Sequence, residues 1–190
     1  MNILLYALAA ATAGVLAIRA PMGDRSDPIR RAFAVFCSNL CVCYVGFTLY
    51  LLVDLYPLLK FDLFKYLTGA AAAFLPPALL SFIDTFFRGP AALQPVATRP
   101  SRLRELTLAA PFLATAYVTV DAVFYGAQPR ASVAEVIFTL AVFSGFSVCI
   151  LHLWHLHEEA PNRSERTRVR YFLVLCGLAV FEQFPDLRDN

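Results

Sequence analysis

Six apolar stretches dominate this chain and limit what it can fold into. They run from about Ile3 to Ile18, Ala32 to Leu55, Tyr66 to Phe87, Leu106 to Tyr125, Val133 to Trp154 and Val169 to Phe184. A helix crossing a hydrocarbon layer roughly 30 Å thick needs about 20 mostly apolar residues, because no water is present there to satisfy unpaired backbone groups. The last stretch is the least regular, since Glu182 and Gln183 close an apolar run that begins only at Tyr171. Of the 190 residues 59% are hydrophobic and 16% charged, against roughly 45–50% and about 25% in soluble domains. Mean hydropathy is +0.62. Too little polar surface remains for a soluble secreted scaffold, a disordered tail or a basic nucleic-acid binder. The expectation is an all-α, polytopic membrane helix bundle of about six transmembrane helices, with 1–190 forming a single integral membrane domain.

Lys and Arg near span ends stay on the cytoplasmic side, so their distribution among the connections gives the orientation. Arg19, Arg25, Arg30 and Arg31 lie in the first connection, Arg88, Arg99, Arg102 and Arg104 in the third, and Arg163, Arg166, Arg168 and Arg170 in the fifth. Only Lys60, Lys65, Arg130 and Arg188 fall in the second and fourth connections and the tail. Odd connections are therefore expected inside, and both the N-terminus and the C-terminus outside. The first apolar run has no Lys or Arg ahead of it, and Arg19 follows it, so it reads as a retained span and not as a cleaved secretory signal.

Helices in lipid associate where small residues let backbones approach. Ala10 and Gly14, Gly69 and Ala73, and Ala141 and Gly145 carry that four-residue spacing. It suits packing within one bundle, or the seam of a homodimer. Pro76 and Pro77 interrupt the third span and remove the amides that would bond to the carbonyls of Ala72 and Ala73. They are a candidate structural hinge, read either as a static bend or as a moving part.

His152 and His155 share a helical face at the end of the fifth span, one turn beyond Cys149, with His157 following. Imidazoles at that spacing can hold a metal or haem iron, with Cys149 nearby. The ordinary reading is a set of amphipathic side chains gathered at headgroup level and a cysteine acting as a small apolar residue. The other cysteines, Cys37, Cys41, Cys43 and Cys176, also sit in apolar runs without disulfide or zinc-finger spacing. Asp84 is expected to form an i, i+4 pair with Arg88 at the cytoplasmic boundary. Asp54, Asp121 and Glu135 approach the outer surface, where they are candidate ligand-binding residues for a cation or simply solvated span ends. Asn39 is the one carboxamide well inside a span and should donate to a neighbouring helix. No Ser-His-Asp or Cys-His arrangement can be built, and the eight glycines form no phosphate-cradling loop, so no enzyme activity is expected.

Three segments carry a family likeness: RRAFAVFCSNLCVCYVGF from Arg30 to Phe47, FLPPALLSF from Phe74 to Phe82, and ERTRVRYFLVLCGLAV from Glu165 to Val180. Together they resemble the amino-terminal membrane region of bacterial seven-transmembrane-type sensor histidine kinases. In that family the region has seven spans, starts outside and ends inside beside the signalling domains. Two departures stand out. A seventh span and the kinase domains are missing, and Cys43 stands where members often show Trp. The resemblance implies a non-catalytic membrane signal-input (sensor) module of the bacterial inner membrane, truncated or acting alone through partners. Its partners would be the lipid bilayer and a second copy or a signalling protein, with no nucleic acid and no cofactor. Arg166, Arg168 and Arg170 at the base of the sixth span are the candidate signal-transmitting residues. The alternatives are a small transporter or channel, and a metal or haem protein using His152 and His155.

Overall fold

The computed structural model describes residues 3–22, 26–55, 63–88, 102–125, 131–160 and 162–182, all within or beside helices. Six α-helices follow one another: α1 (Ile3–Arg19), α2 (Pro28–Leu55), α3 (Leu63–Arg88), α4 (Arg102–Tyr125), α5 (Ala131–Glu159) and α6 (Arg163–Glu182). A single 3-10 turn, Ala20–Met22, extends α1.

Several helices outrun their apolar stretches at the charged ends, and capping explains why. The Asp27 carboxylate accepts from the Ile29 amide at 2.9 Å and the Asp27 carbonyl from the Arg31 amide at 3.2 Å. With Pro28 preset for the first helical position, α2 starts four residues ahead of Ala32. Asn162 does the same for α6. Its side-chain oxygen accepts from the Glu165 amide at 2.9 Å and its carbonyl from the Arg166 amide at 3.1 Å. Helix α5 continues past Trp154 to Glu159, supported by the Trp154 Nε1–H donating to Glu158 at 2.9 Å.

Among the described residues four helices are long and apolar enough to cross a membrane: Ile3–Met22, Pro28–Leu52, Thr68–Phe87 and Val136–Glu159. The chain is therefore a helical bundle of membrane character. Helix α4 adds a shorter apolar segment, Ala109–Val120, because Arg102, Arg104 and Glu105 occupy its first turn. Helix α6 likewise spends its first two turns on Arg163, Glu165, Arg166, Arg168 and Arg170.

Helix α3 sits at the centre, packed on α2, α4 and α5. Its apolar window is 61% buried, against 11% for α1 and 17% for α2. Helix α1 rests on α2, α4 fills the corner between α3 and α5, and α6 lies along α5. The larger core joins Leu79, Leu80, Phe82 and Ile83 of α3 to Cys149 and Leu153 of α5 and to Val169 and Cys176 of α6. A smaller one holds Ala73, Ala114, Val118, Phe138 and Ala141 between α3, α4 and α5. A seam of phenylalanine rings ties α2 to α6 across α3: Phe33 lies 5.3 Å and Phe172 6.1 Å from Phe82, and Phe87 lies 5.4 Å from Phe172.

Each small-residue pair has a member engaged inside the chain. A Cβ at Gly14 would meet Cys41 Sγ at 3.3 Å, one at Gly69 the ring of Phe138 at 3.0 Å, and one at Gly145 the Pro76 ring. The outward faces are apolar instead of polar: Leu4, Leu5 and Leu8 of α1, Leu140 and Leu151 of α5, and Val174, Leu175 and Leu178 of α6 are all exposed. Such surface is normal against lipid and a liability in water.

Candidate functional site: a buried acid and histidine between two helices

The last turns of α3 and the C-terminal part of α5 meet through a polar contact in apolar surroundings. His152 Nε2 lies 2.7 Å from Asp84 Oδ1, and the two side chains are only 20% and 11% exposed. Ile83 beside Asp84, and Cys149 and Leu153 on either side of His152, are fully buried. One proton shared between the imidazole and the carboxyl group makes this a hydrogen bond whichever of the two carries it. A bond of this kind between two helices holds them in one register, because slipping either helix would strand a polar group in an apolar setting.

The expected i, i+4 partner of Asp84, Arg88, has its side chain outside the described residues. The cross-helix partner, 68 residues away, was not anticipated from spacing. Around it the two prolines lie within a continuous α3, with Pro76 fully buried. Two side chains from other helices reach the α3 backbone beside them. Asn39 Nδ2 donates to the Phe74 carbonyl at 3.2 Å, as its isolation in an apolar run suggests, and the Cys149 thiol donates to the Pro76 carbonyl at 3.4 Å. Neither bond goes to the Ala72 or Ala73 carbonyl named from sequence: one acceptor is the next residue, Phe74, and the other is the carbonyl of Pro76 itself. Pro111, buried inside α4, is a further helix proline that sequence reading left aside.

The three histidines take three different partners. His152 turns inward to Asp84, His155 is exposed with Nε2 3.1 Å from Glu159, and His157 accepts from Arg170 Nε at 3.0 Å. Cys149 points at Pro76. Among the described residues no three His, Cys, Asp or Glu side chains converge as a metal would need.

At the turn from α5 to α6, Arg166 donates to the Ala160 carbonyl at 3.3 Å and Arg170 to His157, while Arg168 is exposed on another face. The three arginines singled out from sequence are thus divided: two brace the α5–α6 hairpin and one faces away. Asp54, Asp121 and Glu135 belong by backbone to α2, α4 and α5, and their side chains lie outside the described residues. Compared with protein-family models, curated proteins and solved structures, the chain matches none.

Proposed function

We propose that this chain is a non-catalytic signal-input module of a bacterial inner membrane, crossing six times with both termini outside and passing a change of helix register to a partner. The observation that carries this reading is the largely buried Asp84–His152 bond. Ionisable groups inside a bundle are costly and mark function by default. This one joins the central proline-bearing helix to α5, which turns directly into α6 and its arginine base. A stimulus that favours one packing of α3 against α5 over another shifts the population of the two, and it can shift it only by its difference in affinity for them.

Catalysis is not part of the proposal. The Cys149 thiol, one turn from His152, is fully buried and donates to a backbone carbonyl. The likeness to sensor histidine kinases in Arg30–Phe47, Phe74–Phe82 and Glu165–Val180 supports the same reading. The expected partners are the bilayer and a signalling protein or second copy, with no resident cofactor.

A seventh span and a kinase domain fused after Asn190 should give autophosphorylation that changes about fivefold or more with lipid composition, redox state or cation, the range of ordinary allosteric coupling. Asp84→Asn should flatten that response while the fusion still inserts. Activity that stays constant under all three conditions overturns the proposal.

A further inference from the structure

The start of α6 carries a second feature, independent of the signalling reading. A groove of about 530 Å³ opens there, lined by Asn162, Arg163, Arg166, Thr167 and Arg170. Arg163, Arg166 and Arg170, with the Thr167 hydroxyl, fall on one face of the helix at i, i+3, i+4 and i+7 spacing. Among the described residues no carboxylate makes an ion pair with any of the three arginines. The acids at the end of α5 are occupied on their own helix, Glu158 by Trp154 and Glu159 by His155. Arg166 and Arg170 each commit one donor, to Ala160 and His157. A guanidinium carries five N–H donors, so these bonds fix the two side chains and leave most of their donors free. The Thr167 hydroxyl donates to the Arg163 carbonyl at 2.9 Å and so serves as wall, not as donor. Two fixed guanidinium groups with a third beside them make a receptor for a phosphate group, which guanidinium binds in bidentate fashion.

One helix turn further along the same face, the surface changes character. Val174 and Leu178 are 59% exposed each, and a Cβ added to Gly177 would meet nothing within 4 Å. A cationic groove that runs directly into an open apolar stripe has the polarity of one phospholipid molecule, headgroup first and acyl chains after. We infer that the α6 face from Arg163 to Leu178 binds a single phospholipid with an anionic headgroup, its phosphate held by Arg163, Arg166 and Arg170 and its chains lying along Val174, Gly177 and Leu178. The apolar stripe is what favours a phospholipid over free phosphate at the same arginines.

Full-length protein in detergent, titrated with phosphatidylglycerol or phosphatidylcholine and read by native mass spectrometry, tests this. Wild type should retain phosphatidylglycerol about tenfold or more better than an R163Q/R166Q/R170Q variant, each arginine near a charged surface contributing on the order of a tenfold factor at most. Arg168→Gln, off the groove, should bind as wild type does. Equal retention by wild type and the triple variant overturns the inference, as does an equal loss in Arg168→Gln. If the triple variant does not fold, wild type decides alone: it must prefer phosphatidylglycerol over phosphatidylcholine, and no preference overturns the site. Inorganic phosphate supplies the other arm. Millimolar phosphate that displaces the lipid and matches its thermal stabilisation assigns the groove to a soluble anion and overturns the lipid.

Discussion

At Gly145 a Cβ would lie 2.5 Å from the Cβ and 2.8 Å from the Cγ of Pro76, and a closed pyrrolidine ring cannot swing aside. Gly145→Ala should therefore destabilise the bundle by about 1–3 kcal/mol, the cost of overpacking a filled site. Gly177→Ala, in open space, should instead stabilise it by about 0.5–1 kcal/mol through a better helix propensity. Reversible unfolding in mixed micelles measures both, and two equal effects would mean that the Gly145–Pro76 fit does not hold. In sequence both are single glycines in apolar runs, and the four-residue spacing of Gly145 from Ala141 marks it for packing without naming what it packs on. The partner helix supplies the Pro76 ring. The same holds for Asp84. Its local spacing to Arg88 is visible in the sequence, but His152 becomes a neighbour only once α3 and α5 are side by side. Asn39 was legible because a carboxamide in an apolar run has to find an acceptor somewhere, whichever helix supplies it.

The helices themselves were legible for a plain reason. A backbone in lipid must close its own hydrogen bonds, so every apolar run of the right length becomes a helix. Where each helix ends was less so, because the charged turns beyond lipid are set by capping and not by hydropathy. Asn162 shows the difference, since it starts α6 six residues before the apolar reading placed it, at Val169. Asn162→Ala removes the acceptor of the Glu165 amide and should cost about 1 kcal/mol. Amide exchange should rise over residues 163–168 and stay unchanged in the middle of α5. Protection that persists in both would show that packing against α5, not the cap, holds that end.

For the molecule as a whole, the uneven sorting of arginine among the connections predicts that both chain ends face one side of the membrane. Alkaline phosphatase fused at Met1 and Asn190 should be active, and the same reporter inserted after Arg99 inactive. Ends on opposite sides would reduce the crossings to an odd number, leaving α4 or α6, the two helices of shorter apolar length, lying along the surface. Which helices touch was beyond sequence reading. Six apolar runs can be arranged in many ways, and the choice of α3 as the centre rests on its small residues and prolines fitting α5.

Helices α1 and α2 lie side by side with unequal lengths, 17 residues against 28. At about 1.5 Å per residue they reach about 26 Å and 42 Å. With its terminal 3-10 turn α1 just matches a hydrocarbon layer of roughly 30 Å and has no slack, while α2 has about a third more than it needs. Of these two neighbours a thicker bilayer would therefore strain α1 before α2, drawing the lipid thinner on the α1 side of the pair.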